Sequence, residues 1–324
     1  MMATWCTSGS TCSGNKDSNF SIMNVEKSLM APGAIEFSKV VQGYWRMSEW
    51  GRSDQESLAF LQKHTELGVT TVDHAHVYGS QPSCEELFGR AMALKPSIRD
   101  EIQIVTKCGI NLNRTASIHV NHYDSRYQAI IASTEESLKR LKIENIDVLL
   151  LHRPDYLMIA AEVSEAFARL KAGGKVDHFG VSNFSAGQFD LLQSRLDQPL
   201  VTNQIELNPL NTHELQNGVL EFLQQNKVKP MAWSCLAGGA VLNGKSDSSL
   251  RVRATLEQIK EETGAKGIDQ VAYAWVNKLP SQPVLISGSG KLTRLEQAIK
   301  ALELELTHEQ WYRVLISSLG QNLP

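Results

Sequence analysis

The chain has 324 residues, 42% of them hydrophobic and 21% charged, with a formal net charge of −3; this excludes a disordered or fibrous protein and leaves no basic footprint for a nucleic-acid partner. No apolar run reaches the ~18 residues of a membrane-spanning helix. Five scattered cysteines (Cys6, Cys12, Cys84, Cys108 and Cys235), without a Cys-x-x-Cys pair, argue against a disulfide framework or a zinc site and for a reducing, cytoplasmic compartment.

Residues 1–35 read as an N-terminal tail, expected to be disordered. The first twenty are rich in Ser, Thr and Gly and lack the roughly 7–15-residue apolar core of a secretory signal. The first arginine is Arg46, unlike an Arg-rich transit peptide. From residue 36 onward, short apolar runs alternate with amphipathic stretches. The strand candidates are Lys39–Gly43, Thr70–Asp73, Ile102–Lys107, Ile146–His152, Val176–Ser182, Leu200–Gln204, Lys229–Ser234 and Pro283–Ser287. They are continuously apolar, as strands buried on both faces are.

Helices fall between them. Ser53–Gly68 opens with the capping box Ser53-x-x-Glu56 and ends at Gly68. Ser83-x-x-Glu86, Ser185-x-x-Gln188 and Thr307-x-x-Gln310 open three more helices. A longer one spans about Ser125–Lys142, and Gly173-Gly174 closes the helix before Val176. Residues 36–324 divided over eight strands give roughly 36 residues per unit, a normal βα repeat. The fold expected is α/β, a single-domain (β/α)8 TIM barrel over residues 36–324 with a C-terminal helix. No Gly-x-Gly-x-x-Gly follows the first strand, which weighs against an open dinucleotide-binding sheet.

Side chains at the C-terminal ends of barrel strands face the active site. Those ends carry Asp73, Lys107, His152, Ser182-Asn183, Gln204 and Trp233-Ser234. Each residue alone could be a core or loop residue. Together, with Tyr78 just before Gly79, they fit carbonyl reduction. Adding hydride to a carbonyl builds negative charge on its oxygen, so a proton donor is needed there. A nearby lysine lowers a tyrosine pKa toward working pH. Asp73 would hold Lys107 charged, and a neutral His152 would orient the carbonyl. No metal is required, and no ligand-spaced cluster is present.

These residues stand in motifs that resemble the aldo-keto reductase superfamily over about residues 36–320. Val72-Asp73-His74-Ala75-His76-Val77-Tyr78-Gly79 resembles its Asp-x-Ala-x-x-Tyr-Gly motif. Ile104–Lys107, Asp147–His152 and Gly180-Val181-Ser182-Asn183-Phe184 match its lysine strand, histidine strand and Gly-x-Ser-Asn-Phe motif, and Asn203–Glu206 the next segment. A bacterial-type oxidoreductase branch is the closest in pattern. The resemblance implies a catalytic tetrad of Asp73, Tyr78, Lys107 and His152, with Tyr78 the general acid. It implies that Ser182, Asn183 and Gln204 hold the nicotinamide carboxamide and that Trp233 stacks on its ring. Ser234 and Leu236 would touch the pyrophosphate, and Gly288, Ser289 and Arg294 the adenosine 2′-phosphate. Arg294 favours NADPH over NADH. Gly288 departs from a usual lysine, Gln297-Ala298 from a usual Glu-Asn, and His74 from a usual threonine.

The expected activity is NADPH-dependent reduction of an aldehyde or ketone, with Tyr44, Trp45 and Trp50 forming an aromatic wall that suits apolar or aromatic substrates. The alternative is a cofactor-binding regulatory subunit of the same fold that acts through a protein partner. No nucleic-acid or membrane partner is expected. Nothing in the sequence fixes the oligomeric state, and a monomer is the simpler expectation.

Overall fold

A computed structural model describes residues 25–115 and 117–324. Cys6, Cys12 and residues 1–24 of the expected tail lie outside them. In chain order the first half comprises β1 (Lys27–Leu29), β2 (Glu36–Ser38), β3 (Val40–Gly43), α1 (Asp54–Glu66), β4 (Thr71–Asp73), α2 (Cys84–Met92), β5 (Gln103–Cys108), β6 (Ile110–Asn111), β7 (His122–Tyr123), α3 (Tyr127–Leu141), β8 (Ile146–Leu151) and α4 (Ala160–Ala172). The second half comprises β9 (Val176–Ser182), α5 (Ala186–Gln193), β10 (Leu200–Glu206), α6 (Val219–Gln225), β11 (Met231–Trp233), α7 (Ala240–Asn243), α8 (Asp247–Thr263), α9 (Ile268–Asn277), β12 (Val284–Ser287), α10 (Leu292–Lys300) and α11 (His308–Leu319).

Eight strands close into one parallel barrel in the order β3-β4-β5-β8-β9-β10-β11-β12, so each neighbours the next in sequence. All eight expected strands are barrel strands. The four expected capping boxes form, at Ser53, Ser83, Ser185 and Thr307, each with both reciprocal bonds. Among the described residues no helix is long and apolar enough to cross a membrane.

Alternation along each strand builds two cores. In β8, Val148 and Leu150 pack inside the barrel with Val41, Val105, Val201, Met231 and Val284. Leu149 and Leu151 point outward into the layer beneath the helices, with Val163, Phe167 and Phe179. Phe167 of α4 stacks on Phe179 of β9 at 4.0 Å between centroids. At one approach between helices, Gly89 of α2 is obligatory. A Cβ there would sit 2.2 Å from the carbonyl oxygen of Arg140 in α3.

The tail boundary moves. The antiparallel hairpin β1–β2 occupies part of the stretch expected to be disordered. Met30 and Phe37, both fully buried, join the interior cluster of the barrel. Lys229 N donates to the carbonyl of Met30 at 2.8 Å and joins this hairpin to the segment leading into β11. A hairpin of three-residue strands is too short for periodicity to reveal.

Candidate active site

Asp73, Lys107 and His152 sit at or just beyond the C-terminal ends of β4, β5 and β8, three adjacent strands. Register aligns them: Val72 pairs with Ile104, and Lys107 with Leu150. Tyr78 arrives on the loop after β4. Its backbone N donates to Ala75 O at 3.0 Å, and its carbonyl accepts from Cys84 N at 3.0 Å, which anchors the loop to α2.

Lys107 is the hub. Its Nζ lies 2.8 Å from each carboxylate oxygen of Asp73, 2.7 Å from the His74 carbonyl and 3.1 Å from the Tyr78 hydroxyl. The ammonium has three protons and four acceptors around it, so it has no donor left for other work. Burial alone would favour its neutral form, but Asp73 and then Tyr78 outweigh burial and raise its pKa above the usual lysine value. Asp73 also accepts from Gln204 Nε2 at 2.7 Å.

Tyr78 departs from the sequence expectation. Burial outweighs the attraction of the Lys107 charge, and its pKa lies above the ordinary 10, not below it. The phenol is therefore neutral and carries its proton, the state a general acid needs. His152 stands beside it, with ring centroids 5.7 Å apart in an edge-on arrangement. Burial, followed by the charges of Lys107 and Arg153, pushes the His152 pKa well below 6.5. Its Nδ1 is buried without a hydrogen-bond partner.

A cavity of about 520 Å³ opens over this cluster, within the range of small-ligand sites. Asp73, Tyr78 and His152 line it, with Lys107 buried beneath. Ser182, Asn183, Gln204, Trp233, Ser234, Leu236, Gly288, Ser289 and Arg294 line the same cavity, as does Trp45. The groups on the floor brace one another. Ser182 Oγ donates to the Gln204 carbonyl at 2.8 Å, and Asn183 Nδ2 donates to Ser182 Oγ at 2.8 Å. Trp233 Nε1 donates to Asn183 Oδ1 at 3.2 Å, which fixes the indole plane.

Tyr44 is not in the cavity. It is 1% exposed, stacks on His74 at 4.9 Å and 11°, and bonds His64 Nε2 through its hydroxyl at 2.8 Å. Tyr44 lies just past the end of β3, and a turn closed by Met47 N on the Tyr44 carbonyl at 3.1 Å carries Trp45 to the cavity while Tyr44 stays in the core. Trp50 packs with Tyr44 and Phe60 and against Gly290, not toward a substrate. His74, unplaced by the sequence, lies outside the barrel between Tyr44 and Phe88 and touches Lys107 only through its carbonyl.

Several features of the cavity fit a nicotinamide dinucleotide. After Trp233 the chain takes left-handed conformations at Ser234, Ala237, Gly238 and Gly239, and Ser234, Gly238 and Gly239 of this turn lie on the cavity wall. A Cβ at Gly288 would meet nothing within 4 Å, so the cradle there is open. Helix α10 starts after Lys291 with no side-chain cap, leaving its first N–H groups available to a phosphate. Arg294 lies on this helix, its Nη1 oriented by Asp269 Oδ2 at 3.2 Å. Gln297 on the same helix has a buried Oε1 with no partner.

The sequence reading did not single out Arg153 or Tyr273, which also line the cavity. Arg153 had a signal, since it directly follows His152 at a strand end. Tyr273 had none, because α9 is apolar nearly all round.

The signature described as aldo/keto reductase family matches residues 39–316 of this chain. Oxidoreductase YdhF of Escherichia coli (strain K12) is 46% identical over 93% of this chain and 100% of its own length. A 6-dehydroglucose reductase of Agrobacterium fabrum is 38% identical over 89% of this chain and 97% of its own. The crystal structure of the thermostable aldo-keto reductase Tm1743, solved with the inhibitor epalrestat, shares 26% identity with a TM-score of 0.75. It covers 90% of this chain and 99% of that one.

Proposed function

The chain belongs to the aldo/keto reductase family and is an NAD(P)H-dependent oxidoreductase, and we propose that it uses NADPH to reduce the carbonyl of an aldehyde or ketone. The observation that carries this reading is the chain Asp73–Lys107–Tyr78 at the floor of the cavity, with contacts of 2.8 and 3.1 Å. NADPH, when bound, supplies the hydride that adds to the carbonyl carbon.

The residues of the chain handle the oxygen. Tyr78 keeps its proton at neutral pH and gives it to the oxygen as negative charge builds there. The phenolate left behind faces the Lys107 ammonium, whose charge Asp73 maintains. A neutral His152 donates from one ring nitrogen to the same oxygen and orients it. Asn183, Gln204 and Ser182 would hold the carboxamide, and Trp233 would stack on the ring. The left-handed turn at Ser234–Gly239 would receive the pyrophosphate. Arg294, Ser289 and the open start of α10 would receive the 2′-phosphate, a group only the phosphorylated cofactor has. Trp45 is the aromatic left for the substrate side. The relative that acts on 6-dehydroglucose favours a polar aldehyde among the choices.

The test is steady-state oxidation of NADPH and of NADH across a panel of aldehydes and ketones. The reading expects turnover with NADPH at a lower KM than with NADH. Saturation by micromolar NADH with none by NADPH would remove the role given to Arg294.

A further inference from the structure

Among the described residues, Arg46, Arg153, Lys291 and Arg294 are the cations that line the cavity, and the contacts described above use only Arg294. Arg153 lines the cavity beside Tyr78, His152, Asn183 and Trp233, half-buried. Its guanidinium carbon lies 5.7 Å from the centroid of the Trp233 ring. The next acid along the chain, Asp155, is turned elsewhere. Asp155 Oδ2 accepts from Ser125 N and Oγ at 3.0 and 2.9 Å, and its Oδ1 accepts from Leu157 N at 2.9 Å. Arg153 forms no ion pair among the described residues.

The barrel keeps Arg153 away from the cofactor phosphates. Arg294 and Ser289 follow β12, whereas Arg153 follows β8, four strands away and so across the barrel. Arg46, the other uncommitted guanidinium, behaves differently. It follows β3, next to β12, and its Nη2 reaches the Gly238 carbonyl at 3.4 Å. Arg46 therefore sits at the phosphate end, and Arg153 at the reacting end beside the proton donor.

A guanidinium that faces the cavity without a counter-ion is open to an anion that enters it. Its planar fork matches a carboxylate or a phosphate. We propose that Arg153 binds an anionic group, carboxylate or phosphate, borne by the carbonyl substrate itself; this rests on the reductase reading above. A neutral aldehyde would enter the cavity and strip water from Arg153 without replacing it. An anionic one pairs with Arg153 while its carbonyl meets Tyr78 and His152.

Two matched pairs test this: succinic semialdehyde against butanal, and glyceraldehyde 3-phosphate against glyceraldehyde. Wild type, Arg153→Met and Arg153→Lys are compared by the ratio of kcat/KM within each pair. In wild type the anionic member leads by about tenfold or more in at least one pair, and which pair tells carboxylate from phosphate. Arg153→Met brings that ratio to about one, and Arg153→Lys keeps part of it. The ratio is internal to each protein, so a general loss of activity does not imitate the effect. A wild-type ratio near one in both pairs, or a ratio that survives Arg153→Met, overturns the proposal and leaves the reductase reading intact. If Arg153→Met does not fold, salt decides with wild type alone: the preference shrinks with ionic strength if charge sets it, and a flat preference overturns the proposal. No NADPH oxidation with any of the four aldehydes, nor with the wider panel, removes the reductase reading and this proposal together.

Discussion

Replacing Lys107 by Met should injure the fold and the chemistry separately, and a second substitution should tell the two apart. The Lys107 side chain is 0% exposed and that of Asp73 is 5% exposed. Lys107→Met leaves the Asp73 carboxylate buried, with the Gln204 amide as its remaining donor at 2.7 Å. Breaking a buried ion pair by removing one partner costs about 3–5 kcal/mol. For a chain of this size that lowers the melting temperature by about 4–8 °C. Adding Asp73→Asn removes the stranded charge, and the amide can still meet Gln204. The double variant should therefore melt closer to wild type than the single one. Its activity should not return, because Tyr78 has lost the cation that stabilises its phenolate; both variants should oxidise NADPH slower by about 10²–10⁴-fold. Thermal unfolding of the three proteins, followed by circular dichroism, reads the first effect, and aldehyde-dependent loss of NADPH absorbance the second. A Lys107→Met protein that melts within about 2 °C of wild type, or a double variant no more stable than the single, would refute the reasoning.

Tyr44→Phe removes the bond to His64 and leaves its Nε2 buried and unpaired, at a cost of about 1–3 kcal/mol, while KM for substrates stays unchanged. A raised KM at unchanged stability would return Tyr44 to the substrate wall. Arg294→Met should raise KM for NADPH by about 10–100-fold and leave NADH nearly untouched, measured by steady-state kinetics with each cofactor. Stability should fall with acid because His64 and His74 are buried neutral, with pKa values pushed down to about 4 and about 3. Both values lie below the ordinary 6.5, so on acidification the unfolded chain takes up protons first. The stability these rings contribute is complete above about pH 6.5 and is lost as pH falls through the folded values, about 3 and 5 kcal/mol respectively. Urea midpoints between about pH 7.5 and 4.5 read this; His64→Phe should flatten the slope, and a slope that stays unchanged counts against it.

The eight barrel strands were legible as short, largely apolar runs, and six of their ends were legible because the run stops at Asp73, Lys107, His152, Ser182-Asn183, Gln204 or Trp233-Ser234. The helix starts at Ser53, Ser83, Ser185 and Thr307 were legible because a capping box is local, complete within four residues. What was not legible depends on packing between distant segments. The pairing of Arg294 with Asp269, the closure of the barrel interior by Met30 and Phe37, and the place of Tyr273 on the cavity wall all follow from the folded arrangement. The Tyr78 pKa is of the same kind. The sequence names the lysine that pulls it down, but only the structure weighs that against burial, which wins. The place of Tyr44 is of the same kind, since it is parted from Trp45 by a turn after Gly43 that the folded chain makes.

The central claim is that Tyr78 delivers the proton in a reduction driven by NADPH. Its most direct test is the Tyr78→Phe variant, with single-turnover NADPH oxidation measured beside the NADPH Kd from quenching of Trp45 and Trp233 fluorescence. The hydroxyl that would act contacts only Lys107 among the described residues, so removing it should leave the cofactor cradle in place. The account predicts a rate lower by about 10²–10⁴-fold with Kd essentially unchanged; a Tyr78→Phe protein that turns over at the wild-type rate would contradict it.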